Sequence, residues 1–211
     1  MDLAALRQEY MRSGLHEKDL DADPLAQFGA WFDEALRSGV ALPNAMTLAT
    51  ATKKGRPSAR TVLLKGFDAR GFVFYTHYRS RKGRDLEENP RAMLLFCWEE
   101  LERQVGIEGA VTRVSAAESD EYFASRPLGS RLSASISPQS EVVANREALE
   151  VKLEEASKRW RNAPPRPEEW GGYRLAPEQF EFWQGRKDRL HDRLCYRRKA
   201  AGAWKIERLA P

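Results

Sequence analysis

Five short segments rich in β-branched and aromatic residues follow one another in the first half of the chain. They cover residues 45–52, 58–67, 72–77, 91–98 and 103–114. Turn-forming stretches such as Lys54-Gly55-Arg56-Pro57 and Asn89-Pro90 separate them. Most of these connections are too short for a crossover helix, so the pattern predicts an antiparallel sheet or barrel rather than a parallel α/β fold.

Helical signals flank and interrupt these strands. Asp23 and Pro24 predict the N-cap and first turn of an amphipathic helix that ends near Gly39. Further helices are predicted over 81–88, from the capping box of Ser115 and Glu118 up to Pro127, and over 129–136 and 141–162. Strand patterns return over 173–175, 180–183, 189–197 and 204–209. The fold class predicted is mainly β with peripheral helices (α+β), as a single domain over 23–211.

A hairpin near the C-terminal end carries three cationic or titratable side chains. Gly185 and the polar residues after it separate two apolar segments. Arg189, His191 and Arg193 fall at i, i+2 and i+4 of the second segment, so a strand would project all three from one face. Such a face suits a planar, oxygen-rich anion. A solvated strand face is the alternative interpretation.

Two further groups of cations indicate anion binding. Arg60 and Lys65 stand at the two ends of one predicted strand. Their spacing places them on opposite faces of a regular strand, so they would bind two different anions unless a bulge intervenes. Ser80-Arg81-Lys82 enters a predicted helix, and two cations at a helix N-terminus make a phosphate site. A solvated Arg/Lys loop remains the alternative for this segment.

Composition excludes several other classes of protein. The net charge of +4 is a mild basic excess that suits phosphorylated small molecules at least as well as polymers. Two isolated cysteines, Cys97 and Cys195, are expected to be buried, reduced thiols in a cytoplasmic protein. Three scattered histidines give no zinc pattern, and no apolar run could span a bilayer. We therefore expect no metal site, no membrane segment and no signal peptide.

Ten short motifs stand in order along nearly the whole chain. They are Arg60 to Lys65, Tyr75-Thr76, Ser80-Arg81-Lys82, Leu101-Glu102-Arg103-Gln104-Val105, Tyr122-Phe123-x-Ser125-Arg126-Pro127, Gln139-Ser140, Trp170-Gly171-Gly172, Phe182-Trp183-Gln184-Gly185, Arg189-Leu190-His191-Asp192-Arg193 and Trp204 to Pro211. Together they resemble the pyridoxamine 5′-phosphate oxidase family.

This resemblance implies a fold and an activity. The fold would be an FMN-binding split β-barrel of the antiparallel Greek-key type, in a homodimer with FMN at the subunit interface. The activity would be oxidation of pyridoxamine 5′-phosphate and pyridoxine 5′-phosphate to pyridoxal 5′-phosphate, in vitamin B6 biosynthesis and salvage. A hydride would pass from the substrate 4′ carbon to flavin N5, and O₂ would reoxidise the flavin to give H₂O₂.

The resemblance also assigns residues, position by position. The FMN-binding set would be Arg60, Thr61, Val62, Leu63, Leu64, Lys65, Tyr75, Thr76, Arg81, Lys82, Gln104, Gln139, Ser140, Trp183 and Arg193. The substrate-binding set would be Arg7, Gln8, Glu9, Tyr10, Lys65, Tyr122, Arg126, Ser130, Arg189 and His191, of which Arg189 and His191 would be catalytic. Residues 1–22 would form an N-terminal segment that acts as a mobile lid over the site.

Two other functions compete with this one. Another split-barrel flavoprotein, such as a flavin reductase-like or deazaflavin-dependent enzyme, would not be expected to carry both substrate-binding groups. A basic nucleic-acid-binding barrel could stack bases on Phe72, Phe74, Trp98 and Trp183. Those aromatics lie mainly on predicted core faces, so no nucleic-acid partner is expected.

Overall fold

The computed structural model describes residues 10, 14–161, 163–199 and 202–211, which form nine strands and five α-helices. The strands are Ala45–Ala51 (β1), Pro57–Leu63 (β2), Gly66–Asp68 (β3), Gly71–His77 (β4), Arg91–Trp98 (β5), Arg103–Arg113 (β6), Trp170–Gln184 (β7), Asp192–Arg198 (β8) and Trp204–Leu209 (β9). The helices are Pro24–Arg37 (α1), Arg81–Glu88 (α2), Ala116–Ser125 (α3), Leu128–Ile136 (α4) and Arg146–Trp160 (α5).

All strand pairs are antiparallel and belong to one curved sheet of order β2-β1-β5-β6-β7-β4-β3. The long strand β7 pairs with β6 along one edge. Along the other edge its first half pairs with β4 and its second half with β8, which continues to β9. Because β4 precedes β5, β6 and β7 and pairs with the last of them, the order is of the Greek-key type. The predicted fold class, a split β-barrel with peripheral helices, is confirmed.

Helix α1 supplies aromatic side chains to the core of this barrel. Phe28 is fully buried, and its ring centroid lies 5.0 Å from those of Phe67, Phe72 and Phe96. The predicted cap is present, since the Asp23 side chain accepts a hydrogen bond from the Leu25 amide and proline follows it. Leu36, near the end of the helix, is in contrast exposed. Aromatic packing on α1 therefore closes one side of the barrel.

The predicted strand over 58–67 is two strands. The first ends at Leu63, because the Leu64 amide donates to the Asn44 carbonyl and the Lys65 amide to that of Val73. Lys65 therefore belongs to the crossing between β2 and β3, not to the strand that carries Arg60. The expectation that the two cations alternate along one regular strand is wrong.

The predicted strands over 173–175 and 180–183 are one continuous strand, β7. Pro177 interrupts the sequence pattern, but it pairs opposite Gly109 where the β6–β7 register shifts. A bulge of this kind tolerates proline within a sheet. A Cβ at Gly109 would lie 1.9 Å from the Ala176 carbonyl oxygen, so close backbone approach at the bulge requires glycine there.

The C-terminal hairpin forms, but its second strand starts later than predicted. Asp188 and Arg189 have φ of 57° and 60°, in the left-handed region, and β8 begins only at Asp192. Arg189 and His191 therefore lie in the hairpin loop, and only Arg193 lies on the strand. The predicted i, i+2, i+4 face does not exist.

The two cysteines differ in their environments. Cys195 is buried, whereas Cys97 is exposed. Phe96 and Trp98 on either side of Cys97 are both buried, so strand alternation turns the thiol to the outer face. The expectation that both thiols are buried is wrong for Cys97.

Candidate cofactor and substrate site

The N-terminus of α2 forms a cationic pocket with the end of β4. Ser80 caps the helix by accepting from the Gly83 amide. Lys82 is buried, and its Nζ lies 3.2 Å from Thr76 Oγ1 and 2.9 Å from Gln139 Oε1. Burial, together with the charge of Arg60, lowers the pKa of Lys82 to about 8. A buried ammonium at a helix N-terminus is suited to an incoming phosphate.

Arg60 lies on β2 beside this pocket, within a network of buried and partly buried polar groups. Its Nη1 donates to Thr50 Oγ1 at 2.7 Å, and its Nη2 lies 3.7 Å from the Asp85 carboxylate. Asp85 accepts hydrogen bonds from both Thr50 and Ser58. Burial alone would raise the pKa of Asp85, but these hydrogen bonds and the Arg60 charge outweigh it, so the pKa lies below its ordinary value. The network fixes Arg60 against α2.

A cleft of about 510 Å³ includes this pocket and brings together predicted residues of both kinds. We call it the cationic cleft. Its lining from the predicted FMN-binding set is Thr61, Val62, Leu63, Lys65, Tyr75, Thr76, Lys82 and Gln139. Its lining from the predicted substrate-binding set is Lys65, Tyr122, Arg126 and Ser130. Residues from β2, β4, α2, α3 and α4 thus converge on one cavity.

Arg126 is the most distinctive group in the cationic cleft. Its Nη1 is buried and has no hydrogen-bond partner within the described part of the chain. Burial lowers the pKa of Arg126 from its ordinary value, although the group stays protonated in the physiological range. A buried guanidinium N–H without an acceptor is costly unless a ligand supplies one. The cleft therefore fits an anionic ligand.

A second cluster of predicted residues crosses three strands. Gln104 on β6 lies opposite Trp183 on β7, which lies opposite Arg193 on β8. Directly paired residues share one face of a sheet, so the three side chains form a cross-strand row. Arg193 makes hydrogen bonds of 2.8 and 3.1 Å to the carboxylate of Glu181. The row is thus a rigid surface of an amide, an indole and a guanidinium.

The hairpin loop places His191 against this row. The His191 ring lies 4.7 Å from Trp183 and 5.3 Å from Tyr10, measured between centroids. Its Nδ1 accepts from the Arg186 amide, which leaves Nε2 to carry the proton of the neutral ring. Burial, then the charge of Arg189, lowers the pKa of His191, so the ring is neutral at pH 7.

Ion pairs and hydrogen bonds attach the N-terminal segment to β8 and β9. Arg208 bonds Glu17 and the carboxylate of Asp192, which also accepts from the Leu15 amide. Leu15 is buried in the core. A Cβ at Gly185 would lie 2.5 Å from the Tyr10 ring, so glycine there admits Tyr10. Of the predicted lid over 1–22, residues 1–9 and 11–13 lie outside the described residues, and these include the predicted substrate-binding residues Arg7, Gln8 and Glu9.

The cationic cleft and the cross-strand row occupy different parts of the chain. Tyr75 pairs with Gly172 near the start of β7, and Trp183 lies near its end. The strand contour between these positions is about 36 Å at about 3.3 Å per residue. The predicted FMN-binding residues therefore form two clusters in one chain, not one.

Three predicted residues contribute little through their side chains to the cationic cleft or to the cross-strand row. Leu64 is buried in the core, and its main-chain N–H and C=O both pair with Asn44. Arg81 is exposed and its Nη2 lies 3.5 Å from the Pro57 carbonyl. Ser140 is exposed in a turn with φ of 73°.

Two residues important to the site did not emerge from the sequence alone. Asp85 follows Lys82 by three positions on α2 and shares its buried face, a spacing that could have indicated it. Trp170 lines the cationic cleft and contacts Arg126, but its motif carried no role. Among the described residues, no His/Cys/Asp/Glu group could hold a metal ion, and no helix has the length and apolarity needed to cross a membrane.

Comparison with known proteins gives one family for both parts of the chain. The family described as pyridoxamine 5′-phosphate oxidase matches residues 32–160, and the pyridoxine 5′-phosphate oxidase C-terminal dimerisation region matches residues 170–211. A pyridoxine/pyridoxamine 5′-phosphate oxidase of Rubrobacter xylanophilus is 61% identical over 211 residues, which cover 100% of this chain and 97% of that protein. Another from Cupriavidus metallidurans is 57% identical over 209 residues, which cover 99% of each.

Two solved structures are similar to the whole fold. PhzG from Burkholderia lata, in complex with tetrahydrophenazine-1-carboxylic acid, has a TM-score of 0.88 and 37% identity, covering 93% of this chain and 98% of that one. A pyridoxamine 5′-phosphate oxidase-related, FMN binding protein from Nostoc punctiforme has a TM-score of 0.73 and 20% identity, covering 91% and 100%, and supports the fold alone. On the match of both regions and the identity to full-length relatives, the chain belongs to the pyridoxamine 5′-phosphate oxidase family.

Proposed function

We propose that this chain is an FMN-dependent oxidoreductase that converts pyridoxamine 5′-phosphate and pyridoxine 5′-phosphate to pyridoxal 5′-phosphate, with O₂ reduced to H₂O₂. The observation that carries the proposal is the cationic cleft. It joins a buried lysine at a helix N-terminus to an arginine whose buried Nη1 has no partner within the described residues. Membership of the family and the relatives' names support the same chemistry.

Two phosphate-binding positions fit the cleft. Lys82, Thr76 and the N-terminus of α2 would hold the FMN phosphate, with Arg60 fixed beside them by Asp85. Lys65, Tyr122, Arg126 and Ser130 would hold the substrate phosphate. Charge-assisted hydrogen bonds contribute about 1.5–3 kcal/mol each, so three or four would orient the substrate ring firmly.

When bound, FMN would supply the redox chemistry, accepting a hydride from the substrate and passing electrons to O₂. The chain would supply binding, orientation and charge. Neutral His191, with its proton on Nε2, and the loop residue Arg189 would contact the ring and its oxygen substituent. Tyr10, packed edge-on against Trp183 and His191, would cover them and exclude water.

A homodimer would bring the two clusters together. The C-terminal region matches a family region described as a dimerisation region, and it carries Trp183 and Arg193. The cationic cleft of one protomer would face the cross-strand row of a second copy, with FMN between them. We place this activity in the cytoplasm, in keeping with the reduced thiols expected there.

A second candidate substrate comes from the PhzG structure, whose bound ligand is a carboxylic acid rather than a phosphate ester. A guanidinium and an ammonium could also receive a carboxylate. The two substrates differ in anion type and ring size, so direct assay separates them.

The test is to load purified protein with FMN and supply four compounds in air: pyridoxamine 5′-phosphate, pyridoxine 5′-phosphate, phosphate-free pyridoxamine and tetrahydrophenazine-1-carboxylic acid. Peroxide and aldehyde are measured together. We expect turnover of the first two, with one peroxide per aldehyde, and little turnover of the others. Turnover of tetrahydrophenazine-1-carboxylic acid alone, or equal use of phosphate-free pyridoxamine, would overturn the proposal.

A further inference from the structure

Three aromatic rings lie nearly parallel beside the cationic cleft. Tyr75, Tyr122 and Trp170 have centroids 3.9, 5.5 and 6.2 Å apart and interplanar angles of 8 to 19°. The Arg126 guanidinium lies 4.7 Å from the Trp170 ring, and Lys65 Nζ lies 5.9 Å from the Tyr122 ring. The two cations of the proposed substrate-phosphate site are therefore both in contact with this ring cluster.

Strand register explains why the rings meet. On β4 and β7, Tyr75 lies opposite Gly172 and His77 opposite Trp170. A Cβ at Gly172 would lie 2.8 Å from Tyr75 Cε1. The missing side chain leaves space on that face of β7 for the Tyr75 ring beside Trp170. This gives a physical role to the Trp170-Gly171-Gly172 motif.

The contact between Trp170 and Arg126 joins an aromatic face to an unsatisfied donor. Trp170 is only 6% exposed, so packing fixes its ring. A guanidinium stacked on a ring keeps its edge available for in-plane hydrogen bonds to a phosphate. Arg126 Nη1 is buried and lacks a partner within the described residues, as expected for an edge held ready for a ligand.

We propose that Trp170 is a positioning residue, which holds the Arg126 guanidinium so that its edge meets the phosphoryl group of the substrate. The proposal rests on the proposed function and deepens it, because it explains how the site selects phosphorylated over phosphate-free rings. Trp170 acts through Arg126 and need not touch the substrate.

The experiment measures selectivity rather than activity alone. FMN-loaded wild-type, Trp170→Phe and Trp170→Leu proteins are titrated calorimetrically with pyridoxal 5′-phosphate and with pyridoxal. Trp160→Leu is the matched control, since the Arg159 guanidinium also stacks on Trp160, at 5.4 Å and on α5. The KM and kcat for pyridoxamine 5′-phosphate are measured on the same samples.

We expect Trp170→Leu to weaken pyridoxal 5′-phosphate binding about tenfold, with pyridoxal binding and FMN content unchanged. KM should rise by the same factor while kcat stays within about twofold. Trp170→Phe, which keeps a smaller ring face, should fall between wild type and Trp170→Leu, and Trp160→Leu should match wild type.

Equal selectivity for the phosphorylated ligand in wild type and both Trp170 variants would overturn the inference. Should Trp170→Leu not fold, Trp170→Phe decides, and an unchanged selectivity there has the same meaning. A wild-type protein that does not distinguish pyridoxal 5′-phosphate from pyridoxal would instead count against the proposed function itself.

Discussion

At the scale of single residues, the site depends on ionisable groups whose environments set their charge. Lys82 and Asp85 share the buried face of α2, three positions apart. Burial disfavours the charged form of both side chains. At Asp85, hydrogen bonds and the charge of an arginine outweigh this effect, whereas at Lys82 the burial effect dominates. Lys82 therefore has a lowered pKa, and the negative charge of a bound phosphate would raise it again.

The lowered pKa of Lys82 predicts a pH-dependent cofactor affinity. The ammonium of the ligand-free protein loses its proton as pH rises through about 8, and a phosphate dianion prefers the protonated form. FMN affinity of the ligand-free protein should therefore fall above about pH 8, by up to about tenfold per unit. Quenching of flavin fluorescence measures it.

Lys82→Arg is the control for this dependence, because a guanidinium stays protonated throughout the range. Its affinity should be flat with pH over the same interval. A wild-type affinity that is equally flat would show that Lys82 does not hold the phosphate.

Asp85→Ala should destabilise the protein. Removing the carboxylate leaves Thr50, Ser58 and Arg60 without their shared partner in a buried position. We expect the free energy of unfolding to fall by about 3 kcal/mol. Urea denaturation of the FMN-free protein measures this change.

Glu87→Ala on the same helix is the control. Its ion pair with Arg113 is exposed, so the loss should stay below about 1 kcal/mol. Equal losses in the two variants would mean that the Asp85 network contributes no more than a surface pair.

At the scale of elements, the sequence correctly predicted the helices that have strong local signals. The predicted caps at Asp23 and Ser115 are present, and α2 has the bounds predicted. Errors arose where a tertiary contact overrode the local pattern. Pro177 ended a predicted strand, yet a bulge opposite Gly109 carries β7 through it.

The hairpin loop is a second case of this kind. Alternating basic residues predicted a strand from Arg189, but Asp188 and Arg189 adopt left-handed backbone conformations. Alternation of residue types cannot reveal such a turn, because non-glycine residues seldom occupy that region. The His191 ring nevertheless lies 4.7 Å from that of Trp183, measured between centroids, because the loop folds back onto the end of β7.

Attachment of the N-terminal segment provides an element-scale prediction. Arg208→Ala removes hydrogen bonds to Glu17, Asp192 and the Leu15 carbonyl. The Leu15 amide, which donates to Asp192, should then exchange with solvent at least about fivefold faster. Hydrogen exchange followed by mass spectrometry detects this change.

Lys205→Ala, which removes an exposed cation from the same strand β9, should leave Leu15 exchange unchanged. If Arg208→Ala also left it unchanged, the segment would be held by Leu15 packing and not by the ion pairs.

At the scale of the whole molecule, one chain carries two separate clusters of candidate site residues, one near each end of β7. The sequence could assign Gln104, Trp183 and Arg193 to the flavin through resemblance. It could not show that they form a cross-strand row distant from Lys82, because that depends on the pairing of β6, β7 and β8.

Mixed dimers test this arrangement. Arg126→Leu damages the cationic cleft and Trp183→Ala the cross-strand row, so each homodimer should lose most of its activity. A mixed dimer would contain one site with both lesions and one with neither, and it should recover about half the wild-type rate. Differently tagged chains allow its isolation.

A mixed dimer as inactive as both parents would mean that the cleft and the row of a single chain serve the same site. The homodimers should keep wild-type size in solution, which separates lost chemistry from lost assembly.

The central claim is that this chain holds FMN against a phosphorylated vitamin B6 ring. Its most direct test is a single turnover without oxygen, in which FMN-loaded protein is mixed with excess pyridoxamine 5′-phosphate and the flavin absorbance is followed. The account predicts complete loss of the oxidised flavin band, with one pyridoxal 5′-phosphate formed per flavin, and return of the band when air is admitted. Retention of the oxidised band, or failure of the folded protein to bind FMN at all, would contradict it.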